Sequence, residues 1–387
     1  MKQLIRKWAD LGVQSKLSAI ALLALLGMLV PICLYTAQLR AATQVDRSEL
    51  MGLPPLQALL DAIAELHAYR ATGATDLAAR ERAGAAIGAV LPRIEGLAQF
   101  ERSRPALEEF ARTWDRLAAA TGDQARAAAS DAAAEAALGA LDAMRDESAL
   151  VYTPYVHSYH LVIANLVEGP ESREALTRLM VELQAGAAPD GSAAPAASAV
   201  TRLEAFQRSH LGYRRELEKS IALLDDEATQ QLKQAADEEA ATYAAASEVL
   251  ARAARGGAAA GVRASVAAAG ADIARSMERL GRVSLETLTS QSKQHLSNDT
   301  YAMWRAIGLL TLLAIGIGVL TWHTTRVLVR DIRQAARVAA GIAAGRLDNA
   351  IEVASRDEVG QLLGDMQRMQ SQVQSVIGAQ NEMARRH

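Results

Sequence analysis

Two short segments gather the side chains best suited to binding a small charged molecule. The first holds His67, Tyr69 and Arg70 near the end of an apolar-faced helix. Arginine binds carboxylates through two parallel hydrogen bonds, and tyrosine adds a rigid wall with a polar tip. The predicted chemistry of this segment is therefore recognition of a small anion.

The second segment, residues 148–166, concentrates aromatic and imidazole side chains around Pro154. Its tyrosines and histidines are Tyr152, Tyr155, Tyr159, His157 and His160. With an arginine nearby, this cluster could line the same anion pocket. The competing interpretation is that these side chains cap helix ends and fill gaps in a core made mostly of alanine.

Composition argues against several other functions. One cysteine allows neither an internal disulfide nor a CxxC metal or redox pair. Seven scattered histidines without metal-ligand spacing predict neither a metal site nor a cofactor. A formal charge of −3 lacks the basic footprint of a nucleic-acid-binding protein. We therefore expect no nucleic-acid partner and no enzymatic activity.

The elements that must position these residues are predicted to be helices throughout. Alanine, the strongest helix former, occurs 82 times, whereas aromatic residues make up 4% of the chain. Sheets favour aromatic and β-branched residues. The composition thus predicts an all-α fold.

Two uncharged stretches predict membrane spans. Residues 17–37 would extend about 31 Å as a helix, enough to cross a hydrocarbon core of about 30 Å. A cleaved signal peptide is the alternative, although its apolar core is usually shorter. The second stretch, residues 306–322, is framed by Trp304 and Trp322 at interface positions.

The charges that flank these stretches predict the orientation. Basic residues outnumber acids in residues 1–16 and again after residue 322, so both termini should be cytoplasmic. Residues 38–305 would then form a periplasmic domain, and the chain would be a multi-pass protein of a bacterial inner membrane.

The periplasmic segment is predicted to be an elongated antiparallel helical bundle, either one tall bundle or two stacked modules. We expect helix breaks at Pro54-Pro55 and at Gly169-Pro170, since proline disfavours a helix interior. Residues 185–199 are predicted to be a flexible connector, and residues 200–255 a single long helix. Because alanine faces bury little area, we expect a homodimer.

After the second span, residues 323–377 carry two heptad patterns. Leu328 and Ile332 belong to the first, and Met366 and Met369 to the second. Gly345 should end the first helix, Leu347 and Ile351 should anchor an extended connector, and Asp357, Glu358 and Gly360 should open the second helix. In a dimer, this arrangement predicts a parallel four-helix coiled coil.

Two resemblances add to this interpretation. Residues 344–347 and 357–360 resemble the Ala-Gly-x-Leu and Asp-Glu-x-Gly features of the HAMP signalling module. Residues 49–73 and 148–162 resemble parts of the helical periplasmic domains of bacterial methyl-accepting chemotaxis receptors; Thr153 and Tyr155 stand where that family has acidic residues. The resemblance implies a receptor that senses a periplasmic stimulus and relays it through HAMP.

The resemblance also implies a cytoplasmic signalling hairpin, for which residues 378–387 leave no room, so we expect the sensing half of a receptor. Its expected partners are the membrane, a second copy, and a small molecule or a periplasmic binding protein. A chemotaxis kinase and adaptor would join only if an output domain exists. The alternatives are the sensor portion of a histidine kinase or cyclase, and a structural membrane rod.

Overall fold

The computed structural model describes residues 13–185, 197–224, 227–256, 263–348, 350–352 and 358–384, and every regular element among them is helical. The chain divides into two compact units. One is formed by Arg40–Thr300, and the other by Met1–Leu39 together with Tyr301–His387. An all-α fold is therefore confirmed for the described residues.

The first helix, α1 (Val13–Ala71), continues through Pro54 and Pro55. The predicted break at these prolines is wrong. Leu53, Leu56 and Leu59 are almost completely buried on one side of this region and hold the helix in place. Each fully buried leucine contributes about 1.5–3 kcal/mol, which offsets much of the cost of proline in a helix.

Among the described residues, eight further helices belong to the unit Arg40–Thr300 up to residue 256. They are α2 (Leu77–Gly88), α3 (Val90–Ile94), α4 (Arg104–Ala119), α5 (Asp123–Glu147), α6 (Val156–Ile163), α7 (Gly169–Ala185), α8 (Ala197–Leu223) and α9 (Glu227–Gly256). Short 3₁₀ turns occur at Ala98–Phe100 and Leu150–Tyr152. The largest side chains of the core include Phe100, Phe110, Phe206 and Tyr213.

The predicted break at Gly169-Pro170 is also wrong. A π-helical turn, Ala164–Glu168, joins α6 to α7 without interrupting the helical path. Gly169 permits a close approach there, because a β-carbon at this position would lie 2.8 Å from the carbonyl oxygen of Ala164. Pro170 occupies the first turn of α7, directly after the π-helical turn.

The single long helix predicted over residues 200–255 is instead two helices, α8 and α9, that pack against each other. α8 ends at Leu223, and α9 begins at Glu227. Most of the predicted connector, 185–199, lies outside the described residues.

The last two helices are α10 (Arg263–Ala343) and α11 (Glu358–Ala384). α10 contains the predicted second span, residues 306–322, without a break. Among the described residues, α10 alone is long and apolar enough to cross a membrane, and its most apolar window is not buried within the protein. The predicted first span, residues 17–37, is helical, and its described leucines, such as Leu22 and Leu34, are exposed.

Candidate functional site

The C-terminal end of α10 has the geometry expected of a helix followed by an extended connector. Gly345 adopts a left-handed conformation with φ of 76°. The N–H groups of Gly345 and Arg346 donate to the carbonyl oxygens of Ile342 and Gly341, at 3.0 and 2.9 Å. These two bonds form a Schellman motif, which ends a helix and satisfies its last carbonyls. Gly345 therefore ends the helix, as its position predicts.

Side-chain amides from both flanking helices hold the connector. Gln334 of α10 donates to the carbonyl oxygen of Glu352 at 3.1 Å, and Gln374 of α11 donates to that of Leu347 at 2.7 Å. Leu347 and Ile351 are half-buried. Glu358 and Gly360 lie in the first turn of α11, whereas Asp357 lies outside the described residues.

The predicted heptad seam is only partly covered in one chain. Ala335 is the buried member of the predicted seam, whereas the other buried apolar side chains, Val338 and Leu363, lie one position away from the predicted members Ala339 and Leu362. Leu328 and Met366 are half-buried, and several other apolar side chains stay exposed: Ile332, Leu362, Met369, Val373 and Val376. These exposed residues keep the heptad spacing of a coiled-coil seam, and a dimer through them stays a prediction.

The structure places His67, Tyr69 and Arg70 at the C-terminal end of α1, where all three are buried. The Arg70 guanidinium forms a two-pronged ion pair with Glu174 of α7, with Nη2 3.1 Å from Oε1. Its Nε donates to the Ser130 hydroxyl at 2.7 Å, which adds α5 to the contact. The Tyr69 hydroxyl donates to the carbonyl oxygen of Ala74 at 2.8 Å.

Glu174 is the centre of this buried network. It also lies 3.2 Å from His67 Nε2 and accepts a hydrogen bond from Arg178 at 2.6 Å. Burial by itself would raise the pKa of Glu174, but the hydrogen bonds and charges of His67 and Arg70 lower it well below its ordinary value. Burial lowers the pKa of His67, and its contact with Glu174 partly opposes this shift.

The aromatic segment has different neighbours. Tyr155 stacks on His295 of α10, with ring centroids 3.6 Å apart, and His295 Nε2 lies 3.4 Å from His157 Nε2. Tyr152 is 75% exposed, and Tyr159 is half-exposed at the edge of His160. The structure thus brings Tyr155 to α10 and Arg70 to α7, each with its own partners. A ligand role for these residues stays a prediction.

A second buried charged network lies between α8 and α9. Glu239 is completely buried, with its carboxylate 3.3 Å from Arg214 and 3.4 Å from His210 Nε2. Burial lowers the pKa of His210 to about 4 and raises that of Glu239 to about 6. Tyr243 stacks on His210 at 4.0 Å between ring centroids.

No motif or spacing in the sequence singles out Glu174, Glu239, His295 or Arg173. Each lies on a helix whose polar residues look alike in the sequence, and their partners are distant along the chain. The signal that could have identified such a residue from the sequence is a carboxylate at a helix position that faces the core, as at Glu174.

A cleft of about 720 Å³ lies between α1, α2, α7 and α10 in the unit Arg40–Thr300. Small residues form much of its wall, including Ala64, Ala68, Ala271 and Gly270. His67 lies at its edge, and Arg173 contributes to its floor. In the part of the chain that the structure describes, no three His, Cys, Asp or Glu side chains converge to form a metal site.

The chain combines a helical unit that contains an accessible cleft, a long apolar helix and a C-terminal pair of helices. Residues 324–375 match the model of the HAMP domain, which confirms the predicted HAMP module. HAMP domains occur in membrane-anchored receptors, and this chain is receptor-like in the same sense.

One curated relative refines the class. Over 69 residues, 18% of this chain, the sequence is 39% identical to methyl-accepting chemotaxis protein McpQ of Pseudomonas putida. The match spans 11% of that relative's length. No solved structure matches the chain significantly. Together, the HAMP match and this partial match support a chemoreceptor-like protein that relays a conformational change.

Proposed function

We propose that the chain is the sensing and relay portion of a chemotaxis-type receptor, with residues 38–305 in the periplasm and both termini in the cytoplasm. The observation that carries this proposal is the unbroken helix α10. It contains the last helical segment of the unit Arg40–Thr300, the apolar stretch 306–322 and the first HAMP helix.

The relay requires a module with alternative packings of similar energy, and a dimeric HAMP coiled coil supplies one. A ligand biases the module only by the difference between its affinities for the two states. The exposed apolar stripe on α11 supports a homodimer through this module. No catalytic role is proposed for any residue of this chain.

Labelling of single cysteines tests the topology. In a Cys33→Ser background, Glu101→Cys and Gln372→Cys place thiols at exposed positions of the two units. A membrane-impermeant maleimide added to intact bacteria should label position 101 and leave position 372 unlabelled. Labelling of both, or of position 372 alone, contradicts the proposed orientation.

A chimera tests the function. Residues 1–377 joined to the output domain of a receptor with a measurable kinase response should make that output sensitive to a periplasmic stimulus. A chimera that assembles in the membrane and responds to no stimulus, with a Gly345→Val version giving the same output, would favour the structural-rod alternative.

A further inference from the structure

The cleft between α1, α2, α7 and α10 contains a cation without a matching partner. Most of the charged side chains that line the cleft are already engaged. Arg82 pairs with Glu65 at 3.1 Å, Arg275 pairs with Asp272, and Glu278 pairs with Arg282 at 2.9 Å.

The remaining polar groups of the cleft are engaged as well. Asp76 accepts hydrogen bonds from the first N–H groups of α2, and His67 contacts Glu174. Thr177 donates to a backbone carbonyl of its own helix, and Gln184 donates to that of Ala71.

Arg173 differs from all of these. Its guanidinium forms no hydrogen bond and has no carboxylate oxygen within 4 Å among the described residues. Burial lowers its pKa, and Tyr213, Glu278 and Asp61 oppose this shift. A partly buried guanidinium without a bound anion is costly to keep in a fold, so its position calls for a ligand.

The surroundings leave room for the guanidinium. Gly281 faces it, and a β-carbon at that position would lie 3.3 Å from Arg173 Nη2. A further cavity of about 40 Å³ adjoins the same arginine, lined in part by Asn165 and Tyr213. Leu176 and Met180, from the same helix as Arg173, add apolar surface to the cleft.

We infer that this cleft binds a small organic monocarboxylate, with the carboxylate on Arg173 and the apolar body against Leu176, Met180 and the alanine wall. This inference rests on the proposed function as a receptor and names the ligand class of its sensing unit. One unpaired cation matches one negative charge. The nearby acids Glu65, Asp76 and Glu278 disfavour a second charge on the ligand.

Calorimetric titration of the full chain in lipid nanodiscs tests the inference. The probes are benzoate and hexanoate, each compared with its uncharged amide, and succinate is included as a doubly charged carboxylate. A monocarboxylate should bind, its amide should bind at least ten-fold more weakly, and succinate should bind more weakly than the monocarboxylates.

Variants of the chain locate the binding site. Arg173→Gln should weaken monocarboxylate binding by about 10- to 100-fold, the effect of one charge-assisted contact. Arg112→Gln is the matched control, because this exposed arginine of α4 lies outside the cleft and pairs with Glu109 at 2.9 Å, so the affinity should change less than two-fold. Ala271→Leu, which fills the cleft without altering charge, should also weaken binding.

Three results overturn the inference: equal binding of acid and amide, an unchanged affinity in Arg173→Gln, or no binding of any monocarboxylate at millimolar concentration. If Arg173→Gln does not fold, Ala271→Leu and Arg173→Lys decide the question. A chimera that responds to another stimulus while no monocarboxylate binds would remove this inference and keep the receptor. Monocarboxylate binding without any response in the chimera would keep this inference and remove the proposed receptor function.

Discussion

Arg70 and Glu174 form a buried, two-pronged ion pair across 104 residues of sequence, and this pair joins α1 to α7. Both side chains are nearly inaccessible to solvent. The guanidinium that the sequence offers as a ligand-binding group is thus already bound to a carboxylate of the protein. Arg173 directly precedes Glu174 on α7. It is the cation that lines the cleft without such a partner.

Removing one member of the Arg70–Glu174 pair should be strongly destabilising. Arg70→Gln leaves a buried carboxylate with fewer donors and should cost about 3–5 kcal/mol. Replacing both residues by methionine should cost less than Arg70→Gln alone. The measurement is chemical denaturation of the full chain in detergent, followed by circular dichroism at the helical band.

The control for this experiment is Arg82→Gln, which breaks a more exposed pair with Glu65 and should cost less than about 1 kcal/mol. If Arg70→Gln and Arg82→Gln destabilise equally, the buried network does not hold the helices as described.

Acid should weaken the protein through Glu174. Its pKa in the folded protein lies below the ordinary value of 4.5, so the carboxylate stabilises the fold above pH 4.5. That stabilisation is lost progressively as the pH falls below 4.5. Glu174→Gln should have a lower melting temperature than the wild type at pH 7, and the gap should narrow under acid. A gap that is constant with pH contradicts the assigned role.

The pH dependence of stability that arises from Glu239 should run opposite to that from Glu174. Its pKa is raised from 4.5 to about 6, so its charged form destabilises the fold above pH 6 and this cost disappears below pH 4.5. Glu239→Gln should therefore melt above the wild type at pH 8 and approach it near pH 4.5. His210 titrates in both proteins, so its contribution largely cancels. A variant that is less stable at pH 8 would mean that the contact with Arg214 dominates.

The exposed heptad stripe on α11 should lie at a dimer seam. With Cys33 replaced by serine, Val373→Cys should form a disulfide between two copies in membranes treated with a mild oxidant. Gln372→Cys, one position away on the same helix, should form much less. Equal yields at the two positions argue for random collisions and against a parallel coiled coil.

Gly345 should tolerate only residues that accept a left-handed backbone. Its φ of 76° costs a β-branched side chain roughly 1–2 kcal/mol or more, whereas asparagine is accommodated. Gly345→Val should lower the disulfide yield at position 373, and Gly345→Asn should leave it near the parental value. A lower disulfide yield in both variants would mean that any side chain at position 345 disturbs the module, whether or not it is β-branched.

Local signals in the sequence were sufficient for the HAMP module. Its heptads, the glycine after α10 and the acids that open α11 act over a few residues, so their consequences follow from helix geometry alone. The helical character of the whole chain follows in the same way, from alanine content. Proline was misleading at Pro55 and Pro170, because a buried leucine face and a π-helical turn compensate for it.

The pairing of the charged residues was decided by the tertiary structure. His67, Arg70 and Arg173 look equally able to bind an anion in the sequence. The packing of α1 against α7 gives Arg70 the carboxylate of Glu174 and leaves Arg173 facing the cleft. Helix propensity and heptad spacing depend on neighbouring residues, so the sequence determines them by itself. Ion pairing depends on which helix faces meet, and those faces are brought together only by the burial of a core spread across the whole bundle.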